Sequence, residues 1–302
     1  MLIPPGSSMR GSTAAKLLLS CLALCSVIWS ASQLARHPSR LRATVGGWFP
    51  CFSPDGELVV TQDKRADDSI CFRVWDVMTG RERITLASDL TWVSEVMLSN
   101  DKKLLAARDH SGGVRLWNIP EGKQIAGLPG AEHSSEPGTM VFSPDSEFLA
   151  VQMRYKDLQL FRTQTGEEFT TIGGSLATCA FAPSGKAIAF AEHDDSILKL
   201  WNLAPGQVPR EREAHGTIER IAFAPDGRTI AALVSTGTGV LQLKLWNADN
   251  LDEAGVLGVG AHNPDQLYFS PDSRLLVAVL DGVIAMVWNL QAERPRQVFE
   301  FR

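Results

Sequence analysis

The sequence predicts an all-β chain in which a unit of four antiparallel strands recurs six times behind an N-terminal apolar helix. Three observations carry that reading. A motif of an aromatic residue followed by a tight turn returns every 39 to 46 residues, a doubly apolar strand follows it each time, and a Trp closes a third strand in five of the six copies.

Residues 1–35 differ in kind from the rest. Leu17 to Ala35 holds no charged residue, its apolar centre runs from Leu17 to Trp29, and Arg10 and Lys16 precede it. That order of positive, apolar and polar regions is the pattern of an export signal, and 19 uncharged residues also suffice to span a bilayer uncleaved. Residues 1–35 are therefore expected to be a signal peptide or membrane anchor, with 36–46 as a linker. Arg36, Arg40 and Arg42 follow the segment and balance Arg10 and Lys16, so the side of the membrane is left open.

The anchors of the repeat are Phe52-Ser-Pro-Asp-Gly56, Leu98-Ser-Asn-Asp-Lys102, Phe142-Ser-Pro-Asp-Ser146, Phe181-Ala-Pro-Ser-Gly185, Phe223-Ala-Pro-Asp-Gly227 and Phe269-Ser-Pro-Asp-Ser273. Pro presets φ at the first corner, Asp or Ser bonds back to the main chain, and Gly tolerates the exit. Seven positions after each anchor stand Val59, Leu105, Leu149, Ile188, Ile230 and Leu276, each followed by Val or Ala. A short apolar run bounded by turns reads as a strand buried on both faces. A third strand then ends at Trp75-Asp76, Trp117-Asn118, Trp201-Asn202, Trp246-Asn247 and Trp288-Asn289, with Phe161 in the remaining copy. The five Trp residues are expected to be structural, equivalent and largely buried. A turn such as Met78-Thr-Gly80 leads into a weaker fourth strand.

Four strands per repeat, with Trp followed by Asp or Asn closing the third, resembles the WD-repeat family from about Gly47 to Arg302. The resemblance implies a β-propeller of six four-stranded antiparallel blades, at approximately 47–91, 92–135, 136–174, 175–215, 216–262 and 263–302. It also implies that His133, His215 and His262, lying seven to nine residues ahead of an anchor, hydrogen-bond within their blades. The family closes its ring by mixing strands from both chain ends, whereas here the order starts on an inner strand and ends on an outer one.

Chemical signatures are sparse. No histidine pair has ligand spacing, and no GxSxG, Walker or dinucleotide-binding glycine pattern occurs, so no catalytic residue, metal ligand or cofactor is expected. Asp63-Lys-Arg-Ala-Asp-Asp68 offers carboxylates, but Lys64 and Arg65 compete with any cation, and a solvated loop is expected. Cys51, Cys71 and Cys179 form no metal or disulfide framework. Net charge is −5, which argues against nucleic acid as a partner.

The resemblance implies a non-enzymatic protein-interaction scaffold, exported or membrane-associated through residues 1–35. A propeller enzyme of the lactonase or quinone-dependent dehydrogenase type, and a periplasmic propeller resembling the translocation protein TolB, are the alternatives. From anchor to closing aromatic, the separation is 19 or 20 residues in four repeats and 23 in the first and fifth. Insertions of one loop type map to one face, so that face is the expected partner surface. Lys64, Arg65 and Asp67 would line one side of a notch there and Ser235, Thr236 and Thr238 the other, with Trp48, ahead of the first strand on the same face, as an aromatic anchor.

Overall fold

A computed structural model describes residues 47–128, 140–152, 157–173, 176–192, 195–291 and 296–301. The apolar helix expected over residues 1–35 lies outside them. Every regular element among the described residues is a β-strand, and the strands form six four-stranded antiparallel sheets. The chain divides into two compact units, one ending at Thr91 and the other beginning at Trp92.

The first unit holds one sheet, β1 (Trp48–Phe52), β2 (Leu58–Lys64), β3 (Ile70–Asp76) and β4 (Glu82–Ala87), ordered as in the chain. The second unit holds five. They are β5 (Glu95–Leu98), β6 (Leu104–Arg108), β7 (Val114–Asn118) and β8 (Lys123–Leu128); β9 (Met140–Phe142), β10 (Phe148–Gln152), β11 (Leu158–Arg162) and β12 (Glu168–Ile172); and β13 (Leu176–Phe181), β14 (Ala187–Glu192), β15 (Ile197–Asn202) and β16 (Arg210–Glu213). The last two are β17 (Thr217–Phe223), β18 (Thr229–Ser235), β19 (Leu241–Asn247) and β20 (Glu253–Gly260), and β21 (Pro264–Phe269), β22 (Leu275–Leu280), β23 (Ile284–Asn289) and β24 (Arg296–Phe301). Each sheet is a simple meander.

One cross-strand row recurs in all six sheets. The anchor pairs with the residue seven positions on, as in Phe52↔Val59, Leu98↔Leu105 and Phe269↔Leu276, and that residue pairs with the closing aromatic, as in Val59↔Trp75, Leu105↔Trp117 and Leu276↔Trp288. The turn sets this register. In four sheets the serine after the anchor donates its hydroxyl to the turn aspartate (Ser143 Oγ to Asp145 Oδ1, 2.6 Å) and accepts the N–H that opens the second strand (Phe148, 2.9 Å). The same aspartate oxygen accepts the N–H two residues on, Glu147 at 3.1 Å. The Leu98 copy, which lacks proline, makes the full set through Ser99 and Asp101. Where alanine replaces the serine, at Ala182 and Ala224, the hydroxyl bonds are lost, while the main-chain bond (Ala224 N–H to Thr229 O, 2.9 Å) and the side-chain acceptor within the turn (Arg228 N–H to Asp226 Oδ1, 2.9 Å; Lys186 N–H to Ser184 Oγ, 3.3 Å) remain.

The turn exit is left-handed: φ is 72° at Gly56, 74° at Gly185 and Gly227, but 64° at Lys102, 63° at Ser146 and 60° at Ser273. The two serines at this strained position reach the sheet before them. Asp101 N–H donates to Ser146 Oγ at 3.2 Å, and Asp226 N–H to Ser273 Oγ at 3.0 Å.

The residue after each closing Trp caps the following turn. Asp76, Asn118, Asn202, Asn247 and Asn289 each accept, through Oδ1, a main-chain N–H two or three residues on. This explains why Asp or Asn follows Trp: a short side chain with an acceptor three bonds from Cα closes an Asx-type turn. In the third sheet Arg162 stands there instead and lies over the Phe169 and Phe148 rings, 4.6 and 5.6 Å from their centroids.

Most second strands are buried on both faces, all five residues of β6 and of β10 being enclosed, but β22 departs from that expectation: Leu276, Ala278 and Leu280 are buried while Leu275, Val277 and Val279 on its other face are exposed or half-buried. Their small residues, Ala106, Ala150, Ala189 and Ala231, are fully buried. Trp117, Trp246 and Trp288 are buried as expected. Trp75 and Trp201 depart from that expectation and are half-buried, their indole N–H groups donating to Thr61 Oγ1 (2.9 Å) and the Gln207 carbonyl (3.0 Å). In the fourth sheet the longer turn over Ala204–Pro209 supplies that acceptor, so the ring meets a polar loop rather than an apolar wall.

Two outcomes follow. Ser143→Ala removes a buried hydroxyl that satisfies two partners and should cost about 1–3 kcal/mol in urea unfolding, while Ala224→Ser should add up to about 1 kcal/mol; equal midpoints for all three proteins would discount the turn. The Asp76 carboxyl is held down at about 2 by the Arg83 guanidinium first, then by the Thr79 N–H and hydroxyl. A depressed carboxylate stabilises fully above its ordinary value of 3.8 and loses that contribution as pH falls through about 2. Asp76→Asn should therefore flatten the decline of Tm between about pH 4 and pH 2, and an unchanged slope would show that the ion pair contributes nothing.

Candidate interaction surface

In a four-stranded meander the first and third turns lie at one end of the sheet, and the second turn lies at the other, with the link from the preceding sheet. The residues expected to bind a partner all belong to this second end, but to separate units. Trp48 opens β1, where its main chain pairs with Gln62. Lys64 ends β2 and is ion-paired with Asp68, Nζ to Oδ1 2.7 Å. Asp67 accepts from the Ser69 hydroxyl and N–H, which holds its carboxyl below the usual range. Arg65 closes the loop through its main chain, its N–H donating to the Ser69 carbonyl and its carbonyl accepting from Asp68 N–H.

Every carboxylate of that loop is answered: Asp63 by Arg73 (2.9 Å), Asp67 by Ser69 and Asp68 by Lys64. A cation would have to displace these partners, in keeping with a solvated loop. In the second unit Ser235 ends β18, and Thr236 and Thr238 share a hydroxyl contact of 2.9 Å in an exposed turn closed by Thr236 N–H to the Val240 carbonyl.

The structure adds a feature that the sequence reading passed over. Trp92, 69% exposed, stands in the link from β4 to β5 and packs its ring on His110 of the β6–β7 turn, centroids 5.7 Å apart. Ser94 holds the two loops together by donating to the carbonyls of Arg108 (3.2 Å) and Asp109 (3.1 Å). Beneath them Arg108, 1% exposed, faces Glu95 across the β5–β6 pair, Nε to Oε2 3.8 Å. Burial raises the Glu95 carboxyl, partly countered by Arg108. The signal for Trp92 was present, since it falls outside the five periodic Trp positions.

His262 does what the repeat pattern implied. Its Nδ1 lies 2.7 Å from Asp281 Oδ2, tying the link ahead of β21 to the β22–β23 turn, while Asp281 Oδ1 accepts from the Asn263 N–H and side-chain amide. His215 is exposed, and its N–H donates to Glu213 Oε1. His133 and His193 lie outside the described residues. Among the described residues no group of three His, Cys, Asp or Glu is placed to hold a metal ion, and no helix is long and apolar enough to cross a membrane.

These meanders have counterparts among solved structures. A chain of the mitotic checkpoint complex superposes with a TM-score of 0.60 at 17% identity, covering 83% of this chain and 79% of that one. The WD40 domain of Toxoplasma gondii coronin superposes with a TM-score of 0.60 at 14% identity, covering 84% and 70%. The fold is that of a WD40-repeat β-propeller.

No family model matches the sequence. Curated proteins similar to it are apoptotic protease-activating factor 1 of Homo sapiens, 25% identical over 79% of this chain, and nuclear distribution protein nudF of Aspergillus niger, 26% identical over 48%. The matches cover 18% of the first and 37% of the second, so the chain spans a minor part of these relatives' length. Because the Trp92 ring faces water on a WD40 loop, Trp92→Ala should change stability by no more than about 0.5 kcal/mol; a larger loss in denaturant unfolding would make the ring a structural element.

Proposed function

We propose that the chain is a non-enzymatic protein-interaction scaffold that presents the loop end of its sheets to a protein partner, and that residues 1–35 direct it to or through a membrane. The observation that carries the reading is the surface at that end. Trp92 is offered to solvent on a firmly bonded pair of loops, and an ordered, hydroxyl-rich turn stands at Thr236 to Thr238. A rigid aromatic side chain loses little entropy on binding and supplies a large contact area, which is why such residues anchor protein interfaces. The WD40 fold and the similarity to nuclear distribution protein nudF support the same reading.

Trp48, Lys64, Arg65 and Asp67 in the first unit, and Ser235, Thr236 and Thr238 in the second, are the proposed partner-binding residues, with Trp92 added to them. No nucleic acid and no cofactor enters the proposal. Affinity capture with tagged chain from membrane and soluble fractions is the test. The chain should distribute to the membrane fraction or be exported, and deletion of residues 1–35 should shift it to the soluble fraction. Replacing Trp48, Arg65, Trp92 and Thr236 together by Ala, at unchanged Tm, should abolish capture of the partner found. Full capture by that variant would remove this end of the sheets from consideration.

A further inference from the structure

The outermost strand of the fifth sheet differs from its counterparts. β20 is eight residues long, where β4, β8, β12, β16 and β24 have four to six. Each of those five includes charged residues in its sequence, from Glu168 in β12 to the Arg-Glu-Arg-Glu of β16. Ala254 to Gly260 carries none, and Glu253 ahead of it is answered within its own sheet by Lys244, Nζ to Oε2 3.8 Å. One edge of β20 is paired with β19, from Leu241↔Gly260 to Trp246↔Glu253, with register shifts at Val259 and Ala254 that leave Gly255 to Gly258 as the regular stretch. Along the other edge no described residue bonds to its main chain.

Natural sheets protect such edges with charge, proline or short strands, because a row of open N–H and C=O groups is a template for another strand. We propose that the β20 edge pairs with the same edge of a second copy of this chain, antiparallel about a two-fold axis at Leu257. Side-chain order selects that occupant over an unrelated extended peptide. Val256, 43% exposed, and Gly258 face solvent, while Leu257 and Val259 lie against the core formed by Leu243, Leu245 and Leu267.

With Leu257 opposite its own copy, Val256 falls opposite Gly258 and Gly255 opposite Val259, so each branched side chain meets a glycine on the same face. The regular stretch about that axis, Gly255 to Gly258, holds no charge, so no charge opposes a like charge there. An interface that repeats its own contacts about a two-fold axis closes at two copies.

The test is the mass of the full-length chain in one mild detergent, followed by light scattering over a range of concentrations. A dimer that grows with concentration is expected. Val256→Lys and Val256→Glu should each weaken it by about tenfold or more at unchanged Tm, since the side chain is exposed. An equimolar mixture of the two variants should restore it, because residues 256 of the two copies are diagonal neighbours in this register. Val208→Lys, at a side chain 76% exposed elsewhere, should leave it intact. A parent that stays monomeric, a Val256→Lys chain as dimeric as the parent, or a mixture that stays monomeric would each overturn the proposal.

Discussion

Each repeat depends on one main-chain constraint, the return from the anchor to the residue seven positions later. Phe142 opposite Leu149 places the second strand, and the row continues through Leu149↔Phe161, with a register shift between Phe161 and Leu160 as the fourth strand pairs on to Leu158↔Ile172. The same row appears from Phe52 to Trp75 and from Phe223 to Trp246. Strand side chains alternate between faces, so a slip of one residue would turn each apolar set outward. The turn is held twice, by main-chain bonds in all six sheets and by a serine–aspartate pair in four. At Ala182 and Ala224 the main-chain bonds hold the same register with only Ser184 or Asp226 beside them, so the serine hydroxyl reinforces a turn that forms without it.

That order of importance explains what the sequence disclosed. Turn residues and double apolar runs are local, so the six sheets, their strand order and the cross-strand row were legible from Phe, Pro, Asp and Trp spacing alone. The expectation of equivalent, buried Trp residues was less reliable. Burial of an indole depends on what the neighbouring loop brings, and at Trp201 a longer turn brings the Gln207 carbonyl. The Leu98 copy reads as degraded, yet Ser99 and Asp101 bond as their counterparts do, since proline only presets a conformation that those two side chains also enforce.

The candidate surface was less legible. Loop length pointed to one end of a sheet, because insertions of one kind must emerge on one side. It could not distinguish Lys64 and Asp68, which satisfy each other, from Trp92, which is offered to solvent. That distinction lies in pairing between side chains close in space, and only folded loops show it. Arg108 makes the same point. Nothing in Leu-Leu-Ala-Ala-Arg says that its last residue is enclosed with Glu95 rather than exposed at a strand end.

Ser146 and Ser273 occupy a backbone conformation that glycine would hold without strain, and each hydroxyl receives an N–H from the sheet before it. In a stacked array, stability is the sum of what each repeat contributes alone and what each junction adds. These serines exchange the first quantity for the second. Glycine at both positions would make each repeat individually more comfortable while loosening its tie to the preceding one. A sequence averaged over the repeats would select that glycine, and would thereby trade an array that melts as a unit for one whose sheets can come apart in turn.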